Sequence, residues 1–217
     1  MTGRPSVRER SPVELIETAE RLFAVHGIDG VSLRQIGSEA GHRNPAAVQY
    51  HFGSKAALIR AVLEHRVPAI NARRLELLER LRGEGRQDDL RGLVEAMARP
   101  LLDLDPQAHH YVVFLARLMS HRSELRAAYT ATLTDAISAA LVAQGIKAAL
   151  ADLPEPIREH RFSMAMELMV HVIANRQVRT GDRRRDGLTE ALFANDLIDG
   201  MVGLLTAPHT PAGRRRA

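Results

Sequence analysis

The sequence predicts an all-α protein, and three observations carry the prediction. Nearly every long segment repeats apolar residues at helical spacing, and no convincing period-two stretch appears. Helix starts are marked by Ser, Asn and Pro, and helix stops by Gly. Hydrophobic residues make up 45% of the chain, yet aromatics only 4%, and Trp is absent. The core must therefore be built from Leu, Ala, Val, Ile and Met, which suits packed helices.

The elements follow in order. Ser11-Pro12-Val13-Glu14 combines a capping residue, a proline at the first helical position and the Glu of a capping box. Leu15, Ile16, Ala19, Leu22 and Phe23 then share a face, and Gly27 stops the helix. Ser32 and Gln35 start a second, short helix with Leu33, Ile36 and Ala40 on its apolar face, closed by Gly41. Asn44-Pro45 starts a third, interrupted at Gly53. Ser54 opens a fourth, carrying Leu58, Ile59, Val62 and Leu63 and expected to reach about Leu81 with a kink at Pro68. Gly83-Glu84-Gly85 breaks the chain. Further helices are expected over Asp88–Leu104, Gln107–Ser120, Ser123–Leu153 (with Gly145 as a candidate break), Pro156–Thr180 and Asp186–Thr206. These segments divide the chain into a basic arm (1–10), a first domain (11–66), a continuing helix (67–83), a larger helical domain (84–207) and a Pro-, Gly- and Arg-rich tail (208–217) expected to be disordered.

The bulk numbers exclude several classes. The 217 residues allow one domain or two small ones. With no Cys, disulfides, thiolate catalysis and thiolate metal sites are ruled out. The N-terminal charges are not followed by an apolar run, and no stretch approaches the roughly 20 apolar residues of a membrane span, so a cytoplasmic location is expected. The net charge of +4 is a weak pointer to nucleic acid. Its distribution says more: Arg4, Arg8 and Arg10 precede the first helix, where a minor-groove arm and a nonspecific tail are equally open readings, while Arg183–Arg185 and Arg214–Arg216 read as solvated clusters.

Two short helices joined by a tight turn and backed by an amphipathic helix form a helix-turn-helix pattern. Such a motif lays its second helix in the major groove, so that helix needs small or polar residues outside and apolar ones behind. Pro45 to His51 meets this requirement. Ala46 and Ala47 permit close approach, Gln49 can pair with a base edge, and Tyr50 and His51 can donate to phosphate. Val48 and Phe52 anchor the rear. Lys55, beside the helix start at Ser54, supplies a further phosphate contact. Arg43 in the turn can reach phosphate or a base.

The spaced set Leu22-Phe23-Ala24-Val25-His26-Gly27, Val31-Ser32-Leu33-Arg34-Gln35-Ile36, Ala40-Gly41 and Tyr50-His51-Phe52-Gly53-Ser54-Lys55-Ala56-Ala57-Leu58 resembles the TetR family of ligand-responsive transcriptional regulators, over roughly the first quarter of the chain. One residue more than usual lies between Gly41 and Phe52, which lengthens the turn at His42-Arg43-Asn44. The resemblance implies a three-helix DNA-binding domain with a helix-turn-helix, followed by a C-terminal helical ligand-binding and dimerisation bundle. It implies a homodimer on double-stranded operator DNA, as a rule a repressor released by a small-molecule effector. The DNA-facing set is then Ser32, Arg34, Arg43, Asn44, Ala46, Ala47, Gln49, Tyr50, His51 and Lys55.

For the effector, His109, His110, Tyr111, Phe114, Met119, Met166, Met169 and His171 are the candidate lining residues of a mostly apolar pocket. For the dimer, one stripe is Phe162, Met166, Met169, Val170 and Ile173, and a second is Leu188, Leu192, Leu197, Met201 and Leu204. Adjacent His109 and His110 point about 100° apart on a helix and make poor joint metal ligands, so neither a metal nor another cofactor is expected. A hydrolase using His109, His110 or His171 lacks a nucleophile with a partnered base at readable spacing, so no enzymatic activity is expected. A helical adaptor without DNA binding is the other alternative.

Overall fold

The computed structural model describes residues 11–41, 47–104, 110–121, 137–178 and 187–209. Among these residues it contains nine helices and no strand. They are α1 (Pro12–His26), α2 (Leu33–Glu39), α3 (Ala47–Phe52), α4 (Lys55–Gly83), α5 (Leu90–Leu102), α6 (His110–Met119), α7 (Ile137–Ala149), α8 (Glu155–Val178) and α9 (Glu190–Thr206).

Local chemistry accounts for most boundaries. α1 starts with Pro12 at its first position, but the Ser11 side chain makes no capping bond, so the expected capping box is not formed there. At its far end Gly27 takes φ 78° and its N–H reaches the Phe23 carbonyl, a conformation that costs a Cβ-free residue little. Ser32 caps α2 by accepting from the Gln35 N–H at 3.1 Å, and Ser54 caps α4 through the Ala57 N–H at 3.1 Å. α4 runs unbroken past Pro68 to Gly83, two residues beyond the expected stop. α5 begins at Leu90 because Asp89 is its cap, not its second residue, and accepts from the Gly92 N–H at 3.3 Å. α9 likewise begins at Glu190, with Thr189 accepting from the Leu192 N–H, rather than at Asp186. Gly145 does not break α7. A Cβ there would meet both Leu93 methyls at 3.1 and 3.2 Å, so this glycine lets α5 and α7 approach closely.

α1 packs on α2, α4 and α6; α2 packs on α3, and α3 on α4. α4 extends into the body against α5 and α7, while α8 packs on α6 and α9. The expected division near residue 84 is not a gap in the packing. One continuous hydrophobic core runs from Leu15 to Leu205. Several contacts join the N-terminal helices to the rest, among them a ring stack and an ion pair. Phe23 of α1 stacks on Phe114 of α6, with ring centroids 6.0 Å apart and both rings fully buried. Glu20 of α1 receives two bonds from Arg66 of α4, at 2.8 and 3.2 Å. Burial pushes the Glu20 carboxyl above its ordinary range even though Arg66 pulls it down. Burial likewise lowers the Arg66 guanidinium, but the hydrogen bond and charge of Glu20 more than compensate and leave it raised. No helix among the described residues is long and apolar enough to cross a membrane.

Candidate nucleic-acid interface and body cavity

The second helix of the motif, α3, divides into a buried and an open face. Val48 is fully buried and Phe52 partly so, while Gln49, Tyr50 and His51 are exposed; Tyr50 keeps 87% of its surface. The Tyr50 ring meets the His51 ring edge-on at 5.4 Å. Ala47 is half-buried and Arg34 exposed. Gly53, at φ 71°, turns the chain so that α4 begins two residues later.

Three side chains already have protein partners. The Ser32 hydroxyl oxygen is occupied as the α2 cap, which leaves its O–H to donate. The Gln49 amide donates to the Gly53 carbonyl and must rotate to reach a base edge. Lys55 donates to the Ile28 carbonyl at 2.9 Å, bracing the loop between α1 and α2 and leaving two donors for phosphate. The motif residues Arg43, Asn44 and Ala46 lie outside the described residues, as do Arg4, Arg8, Arg10, Arg183–Arg185 and Arg214–Arg216.

A cavity of about 450 Å³ opens in the body between α4, α5, α6, α7 and α8. Of the eight expected lining residues, Tyr111, Met119, Met166 and Met169 border it. Phe114 instead fills the core against Phe23, because its position on α6 faces α1. His110 and His171 are half-buried away from the cavity, and His109 lies outside the described residues. The polar lining was missed in the sequence: Asn71 and Arg74 from α4 and Lys147 from α7. Arg74 donates to the Ser138 hydroxyl at 3.2 Å, and that hydroxyl donates to the Asn71 side-chain carbonyl. A signal was available. Arg74 sits in register with Val67, Ile70, Leu77 and Leu81, a charge inside an apolar helical stripe.

The structure places most of the expected dimer stripes against the chain's own core. Met169, Val170, Ile173, Leu197 and Met201 are buried in the chain's own core, while Phe162 and Met166 border the cavity. These faces are occupied because α6 packs along α8, and α5 along α9. Leu188 and Leu204 are half-buried, and Leu192 alone of the ten is exposed. The open face of this helix pair carries Met164, Val178 and Leu192, together with Gly200 and Gly203, where an added Cβ would meet nothing within 4 Å.

A capped short helix, a turn and a second short helix with a polar outer face, braced by α1 and α4 and continued into a cavity-bearing helical body, form a helix-turn-helix arrangement. Residues 15–62 match the sequence model of the bacterial regulatory proteins of the tetR family. That match spans 15–62 of the 217 residues, the part that holds α1, α2, α3 and the start of α4. The chain is 30% identical over 117 residues to the HTH-type transcriptional repressor AcnR of Corynebacterium glutamicum, an alignment spanning 52% of this chain and 58% of that protein. The aligned part is thus less than two thirds of the curated relative. The fold is similar to that of a TetR-family regulator from Rhodococcus sp., with TM-score 0.54, 17% identity, and 89% of this chain and 97% of that one covered. It is also similar to the TetR-family regulator PfmR from Thermus thermophilus, with TM-score 0.52, 19% identity, and 93% and 98% covered.

Proposed function

We propose that the protein is a cytoplasmic, homodimeric repressor that binds operator DNA through α2 and α3 and leaves it when a small molecule enters the body cavity. The observation that carries this reading is α3 itself. Val48 and Phe52 fix its rear to the core while Gln49, Tyr50 and His51 stand open. Six residues of helix with so polar an exposed face have little to offer a packed interior, and they fit a major groove. Ser32, Tyr50, His51 and Lys55 would hold phosphates, with Arg34 beside them. Ala47 and Gln49, together with Arg43, Asn44 and Ala46, would approach the bases. In this scheme residues 11–66 are the DNA-binding unit, 67–83 the connecting part of α4, and 84–207 the effector and dimer unit.

Two such units in a dimer would meet half-sites about 34–36 Å apart, or multiples of that spacing. Cavity and DNA face are linked by short steps. Tyr111 borders the cavity and lies 6.3 Å from the Phe114 ring, which stacks on Phe23 of α1. An effector that moves α6 would therefore tilt α1. A differential affinity worth ~1–3 kcal/mol would change operator affinity roughly 5–150-fold.

The test is a gel shift of the full chain on its own upstream DNA across salt concentrations. A specific shift that weakens steeply with salt supports the reading. The Gln49→Ala/Tyr50→Ala variant should lose that shift with its thermal unfolding unchanged, because both side chains are exposed. Specific binding retained by that variant would overturn the role given to α3.

A further inference from the structure

We propose that the body cavity takes an elongated aliphatic carboxylate, with its acid group on Lys147 and its hydrocarbon chain along α7. The first observation is the make-up of the walls. Met97, Met119, Met166 and Met169 all border this one cavity, and the chain has only seven methionines. Methionine is unbranched and conformationally adaptable, so a wall rich in it conforms to a flexible chain better than it defines a slot for a rigid ring.

The second observation is shape. Ala139, Ala140 and Ala143 line the cavity from one side of α7, and Lys147 follows one turn beyond Ala143. These small side chains leave a track along the helix. From Ala139 to Lys147 it spans eight residues, about 12 Å at 1.5 Å per residue, the extended length of roughly ten methylene groups. A molecule of that size fits within the ~450 Å³ available.

The third observation is charge. Two of the described lining residues, Arg74 and Lys147, are cations, and none is a carboxylate. The cavity wall itself therefore offers cations and no acid, the nearest carboxylate being that of Glu159, which is paired with Lys147. Lys147 is the group placed to bind an anion. Its side chain is one-third exposed, and its ammonium sits 4.9 Å over the Phe162 ring and gives one hydrogen bond to Glu159, at 2.6 Å. Two donors remain for a ligand. Glu159 is itself about half exposed, so water can solvate it as the ligand acid shares the ammonium. The guanidinium of Arg74 donates to Ser138 at the opposite end of the track, so the acid group is placed at Lys147.

This inference takes the cavity to be the effector site proposed above, but its test needs no DNA. Isothermal titration of the full chain would compare decanoate, decan-1-ol and decylammonium. Saturable decanoate binding, at least tenfold tighter than decanol and without measurable decylammonium binding, is expected. Lys147→Met should bring decanoate down to the decanol level, and Ala143→Leu, which narrows the track, should weaken both by at least tenfold. Circular dichroism would verify that each variant is folded. Should Lys147→Met unfold the chain, Lys147→Gln serves the same comparison. No saturable decanoate binding, equal affinity for the alcohol, or discrimination that survives loss of Lys147 would overturn the proposal. Decanoate binding that leaves a DNA complex intact would uphold the site chemistry and refute only its role as effector site. A different molecule that releases DNA in a chain unable to bind decanoate would do the reverse.

Discussion

The Phe23–Phe114 stack is where the N-terminal helices meet the body on the side away from α4, and its contribution can be measured. Replacing either ring by Leu keeps an apolar side chain of similar volume. Each single variant should cost about 1–2 kcal/mol, for imperfect refilling of a fully buried site. The ring–ring term is separate. At 6.0 Å and 27° the pair lies within the favourable aromatic range, worth ~0.5–1.5 kcal/mol beyond area burial. Once either ring is lost, the second substitution no longer removes that term. The double variant should therefore cost less than the sum of the singles, by that amount. Urea unfolding of the full chain at one fixed protein concentration gives the cycle, because association would otherwise shift the midpoints. Hydrogen exchange gives a second readout, since α1 amides should exchange faster in Phe114→Leu than the loss of global stability alone requires. Additivity within about 0.3 kcal/mol would mean the rings are merely adjacent, and the proposed route from Tyr111 to α1 would lose its central step.

Three other outcomes follow from the same geometry. Gly200→Leu and Gly203→Leu place side chains on the open face of α9, so sedimentation should show at least tenfold weaker self-association with undiminished helical content; unchanged association would move the dimer seam elsewhere. Glu20 binds a proton more tightly folded than unfolded, so its contribution is greatest below its ordinary pKa and falls as pH rises through the raised folded value. The stability of the wild type relative to Glu20→Gln should accordingly grow as pH falls through the mildly acidic range, and a difference that shrinks in thermal melts across that range would contradict the burial argument. Gly92→Ala brings a Cβ to 2.5 Å from Leu81 Cδ2 and 3.2 Å from the capping Asp89 carboxylate, so despite alanine's better helix propensity it should destabilise by about 1–2 kcal/mol; an unchanged melting temperature would show that Leu81 moves aside freely.

Local signals in the sequence located helices well wherever the physics is local. Ser32 and Ser54 cap as their positions predict, and Gly27 ends α1 in the left-handed conformation. Ser11 shows the limit, since the same residue pattern is present without the side-chain bond. Gly145 was ambiguous for a different reason. A glycine in a helical pattern signals a break or a close approach alike, and only the position of Leu93 on another helix decides between them. The open face of α3 was legible because Val48 and Phe52 fix which side is inward. The cavity was half legible. Tyr111 and three methionines were in reach of composition, whereas Asn71, Arg74 and Lys147 come from helices distant in sequence.

The two apolar stripes on α8 and α9 carry a more general lesson about interfaces. Helical periodicity identifies a face that must be covered but not whose atoms cover it. Here the face with Met169, Val170 and Ile173 is taken by the same chain, because α6 is tethered beside it and a partner is not. The face left open, which the proposed dimer would use, carries small and isolated apolar residues, which periodicity does not single out. That face is nonetheless prepared. Arg161 reaches across from α8 to the carbonyls of Leu205, Ala207 and Pro208 at the end of α9, where unsatisfied helix acceptors favour a cation. Arg176 lies 4.3 Å over the Phe193 ring, and Arg91 and Arg99 of α5 hold Asp199 and Asn195. Arg161 and Arg176 thus hold α8 to α9, and Arg91 and Arg99 hold α9 to α5. Association would order few side chains, and Gly200 and Gly203 would let the backbones approach, so affinity there would rest on close fit more than on apolar area.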